Sequence, residues 1–256
     1  MLIDSHIHVG QFHDTYYSPT ILIEACKRIG ISHIAVSSLS VVLDDSNKVL
    51  GEFEQLLNQK EVEIIPVLWI TPKMLQSNSV SKFLDSGINW KCIKIHNYLQ
   101  GPVWGEPTGV FMQQVVSLAQ SLHLPILMHT GNDHCYPDDY KSLIAEHPDQ
   151  IFILAHSRPV DQTISIMKQY SNAWADIAFT PTEDIQQIIA AGLADRLMWG
   201  TDLPLMSYYD QLRGKQIDED YYLTYYHCLL DSIRSVLSID DYEKLVWRNA
   251  LKIFKI

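Results

Sequence analysis

The sequence predicts an α/β protein, a (β/α)8 TIM barrel in a single domain over residues 1–256. Three observations predict it. Eight short apolar runs recur near 2–8, 33–38, 62–69, 91–96, 125–130, 151–156, 173–178 and 197–202. The segments between them space their apolar residues as helices do, and such alternation builds a parallel sheet with crossover helices. The length, 256 residues, is the usual size of a barrel closed from eight such units. No linker, low-complexity tract or charge block interrupts the pattern.

The elements follow in order. In the first run Leu2, Ile3, Ile7 and Val9 mark a strand that carries His6 and His8, two apart and therefore on one face. Ser18-Pro19 offers an N-cap with proline at the first helical position. Leu22, Ala25, Cys26 and Ile29 then repeat at helical spacing, and Gly30 ends the helix. The fourth run, Lys91-Cys-Ile-Lys-Ile-His96, closes on Lys94 and His96. Val115, Leu118, Ala119 and Leu122 mark the buried face of a helix. The fifth run ends on His129, and the sixth ends on His156, with Arg158 just beyond. Thr180-Pro181-Thr182-Glu183 fits a capping box, with Gly192 as the stop. The eighth run ends on Asp202. The connection 203–237 is long and rich in tyrosine (Tyr208, Tyr209, Tyr221, Tyr222, Tyr225, Tyr226), suited to the barrel mouth or an oligomer contact. Ser238 and Asp241 open a last helix whose apolar face includes Leu245, Val246, Ala250 and Ile253.

Composition narrows the function classes. A hydrophobic content of 47% with 19% charged residues describes a globular chain. A net charge of −11 argues against whole-surface attraction to DNA, RNA or anionic lipid. Anionic substrates stay open, because a metal reverses the local potential. No run approaches the ~20 apolar residues of a membrane span, and a strand starting at Met1 leaves no room for a signal peptide. Cys26, Cys92, Cys135 and Cys228 form no CxxC pair and read as reduced thiols of a cytoplasmic protein. Cys135, in a loop near a candidate ligand, is expected to be open to exposure.

A (β/α)8 barrel builds its active site at the C-terminal ends of the strands. His6, His8, Lys94, His96, His129, His156 and Asp202 all stand there. Taken singly, each has an ordinary reading. The HxH pair is two polar residues at a strand end, His129 and His156 are hydrogen-bonded structural histidines, Asp202 caps a helix, and Lys94 is a rim charge. Random placement would scatter such residues over both ends, so together they read as one metal site. His33, His123, His147 and His227 are assigned structural places, the middle two at helix C-termini where positive charge suits the dipole. His13 and His134 lie in loops on the active-site side. Tyr98, Trp104 and Tyr136 either line the pocket or shield the core, and its shape depends on loops such as 97–107 and 203–218.

Six pieces carry a family resemblance: Asp4-Ser-His-Ile-His8, Lys94-Ile-His96, His129-Thr-Gly131, His156-Ser-Arg158, Gly200-Thr-Asp-Leu-Pro204 and Asn249-Ala-Leu-Lys-Ile-Phe254. In this order they resemble the amidohydrolase superfamily. The closer similarity is to its amidohydrolase-related branch (the amidohydrolase 2 type). That branch includes decarboxylases of the aminocarboxymuconate-semialdehyde and resorcylate type and lactonases of the pyrone-dicarboxylate type. The resemblance implies that His6, His8, His129 and Asp202 hold a single divalent metal, zinc first, with Mn2+, another metal or a second ion left open. It implies that His156 handles protons or polarises substrate. Other branches carboxylate the strand-4 lysine to bridge two ions, with His129 and His156 then on the second. A TatD-type nuclease would carry glutamate where Lys94 stands. Phosphoesterases of the polymerase-and-histidinol-phosphatase type need more ligands than this chain offers.

The chemistry follows from that ligand set. Three imidazoles and a carboxylate leave zinc one open or water-filled position, and the metal lowers the pKa of its water toward ~7. Asp202 then accepts that proton and delivers it to a leaving group, while His156 stabilises an oxyanion or acts as acid. Lys94, His96 and Arg158 would hold a substrate carboxylate, which arginine suits best. A helix–helix salt bridge is an equal alternative for Arg158. The expected function is a metal-dependent hydrolase of a small molecule (amide, lactone or ester) using a metal-activated water. The alternative is non-oxidative decarboxylation of an aromatic or unsaturated carboxylic acid, with Asp202 or His156 protonating carbon. A non-catalytic ligand-binding barrel is the third reading. The chain is short for the decarboxylase branch, which tilts the balance toward hydrolysis. The expected partner is a small molecule, without nucleic acid or membrane, and a homo-oligomer is compatible.

Overall fold

The computed structural model describes residues 1–96, 109–132, 135–218 and 220–256. Its strands are β1 (Ile3–Phe12), β2 (Thr15–Tyr17), β3 (His33–Ser38), β4 (Glu63–Trp69), β5 (Cys92–Ile95), β6 (Ile126–Met128), β7 (Phe152–Leu154), β8 (Ala173–Asp176) and β9 (Leu197–Met198). They form one curled nine-stranded sheet in the order β2-β1-β3-β4-β5-β6-β7-β8-β9. Each of the eight apolar runs becomes a strand, and β1 with β3 to β9 pair in parallel. Only β2 was not anticipated. It is a three-residue antiparallel return on β1, with Gly10 opposite Tyr17, too short to show a period of two.

Beyond β9 the chain returns to β1. Ser5 N–H donates to Trp199 O (2.9 Å), Asp202 N–H to His6 O (2.7 Å) and His8 N–H to Leu203 O (2.7 Å). Ile7 and Leu203 form a parallel bridge. The fold is therefore mixed α/β, with its last strand segment lying beside its first.

Side chains alternate across each strand, and the sheet sorts them into two cores. One face packs on the surrounding helices through residues such as Val36, Leu68, Ile93, Ile95, Ile126 and Leu154. The other gathers Ile3, Ala35, Val67, Cys92, Leu127, Ile153, Trp174 and Met198, one from each parallel strand, under Ala250, Ile253 and Phe254. Those last three belong to the helix Asn249–Phe254, so the C-terminal helix covers the inner face at the N-terminal end of the strands. The inner face is left to polar residues at the opposite end.

Several helix signals hold. Ser18 accepts from Thr20 N–H, and Gly30 ends the helix Pro19–Ile29 in the left-handed conformation at φ 83°. Ser238 accepts from Asp241 N–H, and Leu245, Val246, Ala250 and Ile253 are buried. Three expectations are corrected. The capping box at Thr180 does not form: the helix begins at Thr182 with Pro181, which has no side-chain acceptor, at the N-cap, and the Thr180 hydroxyl donates instead to His156 O (2.8 Å). Leu122 is exposed, since the buried stripe of the helix Val110–Leu122 runs through Met112, Val115, Val116 and Ala119. Cys135 is buried rather than exposed, and the four cysteines form no disulfide. Among the described residues no helix is long and apolar enough to cross a membrane.

Candidate metal centre

A period of two carries the inner core into the site. Counting forward from Val67, Cys92, Leu127 and Trp174, the next inward residues are Trp69, Lys94, His129 and Asp176. On β1 a register shift between Asp4 and Ile7 re-aims the strand where His6 and His8 stand. Asp202 arrives from the segment hydrogen-bonded to β1. Gly200 permits the approach, because a Cβ there would lie 2.8 Å from His6 Cβ.

His6, His8 and Asp202 converge. His6 Nε2 lies 3.2 Å and His8 Nε2 2.8 Å from the same oxygen, Asp202 Oδ1. All three are buried, and their donor atoms are close enough to share one cation. The opposite ring nitrogens are anchored in the protein. His6 Nδ1 meets Asp176 Oδ2 at 2.9 Å, and His8 Nδ1 meets the Ser37 hydroxyl at 2.8 Å. Lys94 Nζ donates to His6 Nε2 at 2.5 Å. Burial pushes both imidazoles below their ordinary range, His6 furthest. Burial works to raise the Asp202 carboxyl, but His6, His8 and Lys94 outweigh it and hold it below the usual carboxylate range. Burial also draws the Lys94 ammonium down to about 8, against the pull of Asp202 and Asp176.

His129 stands apart from that trio. Its Nδ1 lies 3.0 Å from His156 Nε2, and its Nε2 lies 2.7 Å from Asn132 Oδ1. His156 Nδ1 meets Ala178 O at 3.2 Å. A carbonyl only accepts, so His156 carries its proton on Nδ1 and takes one from His129 Nδ1. A neutral His129 keeps a lone pair on Nε2, the form a metal ligand needs, only with the Asn132 amide turned so that its nitrogen rather than Oδ1 faces the ring. Burial drives its pKa down to about 4, and His156 falls well below its ordinary value for the same reason. His156 is buried beneath His129 and does not line the cavity.

That cavity, about 420 Å3, is lined by His96, His129, Arg158 and Asp202 together with Phe12, Asn132, Phe179, Tyr209 and Arg213. His96 stacks on His129 with ring centroids 3.7 Å apart. The Arg158 guanidinium lies over the Phe179 ring, and Arg158 makes no salt bridge among the described residues. Its chain crosses Gly131, where a Cβ would come within 2.1 Å of Arg158 Nε. Lys94 is not a rim charge but is buried at 1% exposure. Of the tyrosines in 203–237, Tyr209 reaches the cavity wall, whereas Tyr226 is buried and donates to Asp4 Oδ2 (2.9 Å). Tyr136 precedes the turn Pro137–Tyr140. Tyr98, Trp104 and His134 lie outside the described residues, and His13 stacks on Tyr208.

Sequence reasoning missed Asp176, Trp69, Asn132 and Arg213. Asp176 and Trp69 were within reach of the period-two rule. Asp176 follows Trp174 at the C-terminal end of an apolar run, as His129 follows Leu127. Asn132 and Arg213 come from turns, which carry no such period.

A family profile described as amidohydrolase matches residues 95–256, more than half of the chain. The chain belongs to the amidohydrolase family. The match takes in His96, His129, His156 and Asp202, while the His6–His8 pair lies before it. No curated protein matches. Solved structures do, over 100% of this chain in each case. One is a probable 2-pyrone-4,6-dicarboxylic acid hydrolase from Acinetobacter baumannii with citric acid bound (12% identity, TM-score 0.70, 99% of that chain). Another is an amidohydrolase from Burkholderia multivorans with bound zinc (12% identity, TM-score 0.69, 99% of that chain). A third is 5-carboxyvanillate decarboxylase from Novosphingobium aromaticivorans, complexed with manganese and 4-hydroxy-3-methoxy-5-nitrobenzoic acid (11% identity, TM-score 0.64, 96% of that chain). At these identities the likeness to this amidohydrolase is one of fold.

Proposed function

We propose that this amidohydrolase is a metal-dependent hydrolase of a small molecule, an amide, lactone or ester. One observation carries the reading: His6 and His8 each tie Nδ1 to the protein and turn Nε2 to a single oxygen of buried Asp202. The assigned ligands are His6, His8, His129 and Asp202, around one divalent ion, zinc first. The donor chemistry fits. Neutral imidazoles and an ionised carboxylate are the set zinc takes, and burial keeps these imidazoles unprotonated.

When bound, the ion supplies Lewis acidity, making water a nucleophile near neutral pH and polarising a carbonyl. Asp202 takes the proton of the attacking water and returns it to the leaving group. His156 orients His129 through the Nδ1–Nε2 contact, and the oxyanion or acid role would require its ring to turn from Ala178 O and His129 toward the cavity. Arg158 and His96, in the cavity wall, orient a substrate carboxylate, with Arg158 offering the planar fork that suits it, and Lys94 beneath adds positive charge. The bonds from residues 199–203 to β1 support a closed (β/α)8 barrel in one domain over 1–256. Cysteines without disulfides support a cytoplasmic setting.

The aromatic walls Phe12, Phe179 and Tyr209, set beside Arg158, favour a second reading. It is non-oxidative decarboxylation of an aromatic or unsaturated carboxylic acid, in which Asp202 would take a proton from water or an acidic substrate group and give it to carbon as the bond to the departing CO2 breaks. Metal analysis of protein purified without chelator is expected to return roughly one ion per chain. A panel of lactones, amides and aromatic acids then separates the reactions: hydrolysis adds water, and decarboxylation releases carbon dioxide without adding it. Metal-free protein that turns over nothing overturns both.

A further inference from the structure

Asp176 belongs to no motif of the sequence, yet it is fully buried and in contact with two of the site's histidines. Its Oδ2 meets His6 Nδ1 at 2.9 Å. Its Oδ1 accepts from His156 N–H (2.9 Å) and Ala178 N–H (3.0 Å), and its backbone oxygen accepts from the Ser157 hydroxyl (2.5 Å). His156 and Ser157 are both left-handed, at φ 72° and 48°, a conformation that costs non-glycine residues and survives only when its surroundings enforce it.

We propose that Asp176 is a positioning residue whose single carboxylate sets the tautomer of His6 and holds the left-handed turn that carries His156. The nearest partners on the two faces of His6 agree: Asp176 Oδ2 lies 2.9 Å from Nδ1 and Lys94 Nζ 2.5 Å from Nε2, with Asp202 Oδ1 farther from Nε2 at 3.2 Å. A carboxylate at Nδ1 accepts, so the ring proton stands there. A lysine ammonium only donates, so Nε2, facing Lys94, is the acceptor. Nε2 is the nitrogen turned to Asp202. The alternative is that Asp176 is itself a ligand, since His6, His156 and Asp176 also bring donor atoms together. Against it, both Asp176 oxygens and both His156 ring nitrogens are already engaged within the protein. As a consequence for metal affinity, the inference rests on the proposed function; as a statement about the tautomer, it does not.

The test is 15N NMR of the histidine side chains in the metal-free full chain, with His6→Asn to assign the signals. Wild-type His6 is expected to carry its proton on Nδ1; a proton on Nε2 overturns the inference. In Asp176→Asn the amide nitrogen would donate to Nδ1, so the tautomer is expected to reverse. Zinc affinity, measured against a competing chelator, is expected to fall about 10- to 100-fold. The cobalt-substituted variant at saturation should keep the wild-type absorption spectrum. Unchanged zinc affinity, or an altered cobalt spectrum marking Asp176 as a ligand, overturns the positioning role. If Asp176→Asn does not fold, the wild-type tautomer decides. If wild-type protein binds no zinc, the metal assignment fails while the NMR still judges Asp176.

Discussion

At the scale of single residues the site is governed by which ring nitrogen each histidine anchors in the protein. His6, His8 and His129 each engage Nδ1 with Asp176, Ser37 and His156, and turn Nε2 elsewhere. On the proposed ligand set, His8→Ala is expected to abolish turnover together with metal binding, checked by elemental analysis and assay of the same sample. His156→Asn is expected to keep the metal and lower kcat strongly, because both His156 ring nitrogens are engaged by Ala178 O and His129 and neither is assigned to the ion. Full activity in the first variant, or metal loss in the second, would reverse these roles. Glu52 offers a separate titration. It is buried, accepts from Ser38 and Ser40 at 2.5 and 2.6 Å, and burial raises its pKa above the ordinary carboxylate value. A raised folded-state pKa means stability that is full below the unfolded pKa and lost as pH rises through the folded one. The melting temperature of Glu52→Gln relative to wild type should therefore rise from acid to neutral pH. A flat difference would mean that Glu52 titrates normally.

At the scale of elements, the strand ends are held by strained turns. His156 and Ser157 follow β7, Phe179 follows β8 and Asp202 follows β9, all at positive φ. Conformations of this kind cost of order 1–3 kcal/mol each and gather where function demands a special aim. A hydrogen-bonded clamp holds the last of these turns. Asp4 accepts from His6 N–H, from Thr201 N–H and hydroxyl, and from the Tyr226 hydroxyl. It thereby joins β1, the turn after β9 and the helix Tyr221–Val236. Tyr226→Phe removes one buried donor and is expected to cost about 1–3 kcal/mol, read by urea unfolding. No loss would mean that the clamp adds nothing at its helix end.

At the scale of the whole molecule, a net charge of −11 surrounds a pocket that contains Arg158 and Arg213 at its wall and Lys94 beneath. A cation bound there would tie β1 to the segment after β9, so its binding energy adds to folding. At a hundredfold excess over its dissociation constant a bound ion adds about 2.7 kcal/mol, roughly 5–10 °C in a chain of this size. Chelation should lower the melting temperature by that order, and restoring zinc should return it. A melting curve indifferent to chelator would argue against a structural link through the metal.

The sequence by itself determined the strand pattern and most of the residues that cluster at the candidate site. The eight runs alternate or end polar at one side because strand geometry repeats every two residues, a local rule that reads directly from His6 and His8, Lys94 and His129. It did not reveal β2, the burial of Cys135, the failure of Thr180 to cap, or the place of Asp176. β2 is a local return too short for its period to show, whereas Thr180 and Asp176 depend on partners distant in the chain. Thr180 serves the His156 carbonyl rather than its own helix, and Asp176 meets His6 only because β8 and β1 curl around one inner face. Tertiary structure decided which ring nitrogen each histidine turns inward, because a tautomer is set by the group that packs against it and not by its neighbours in sequence.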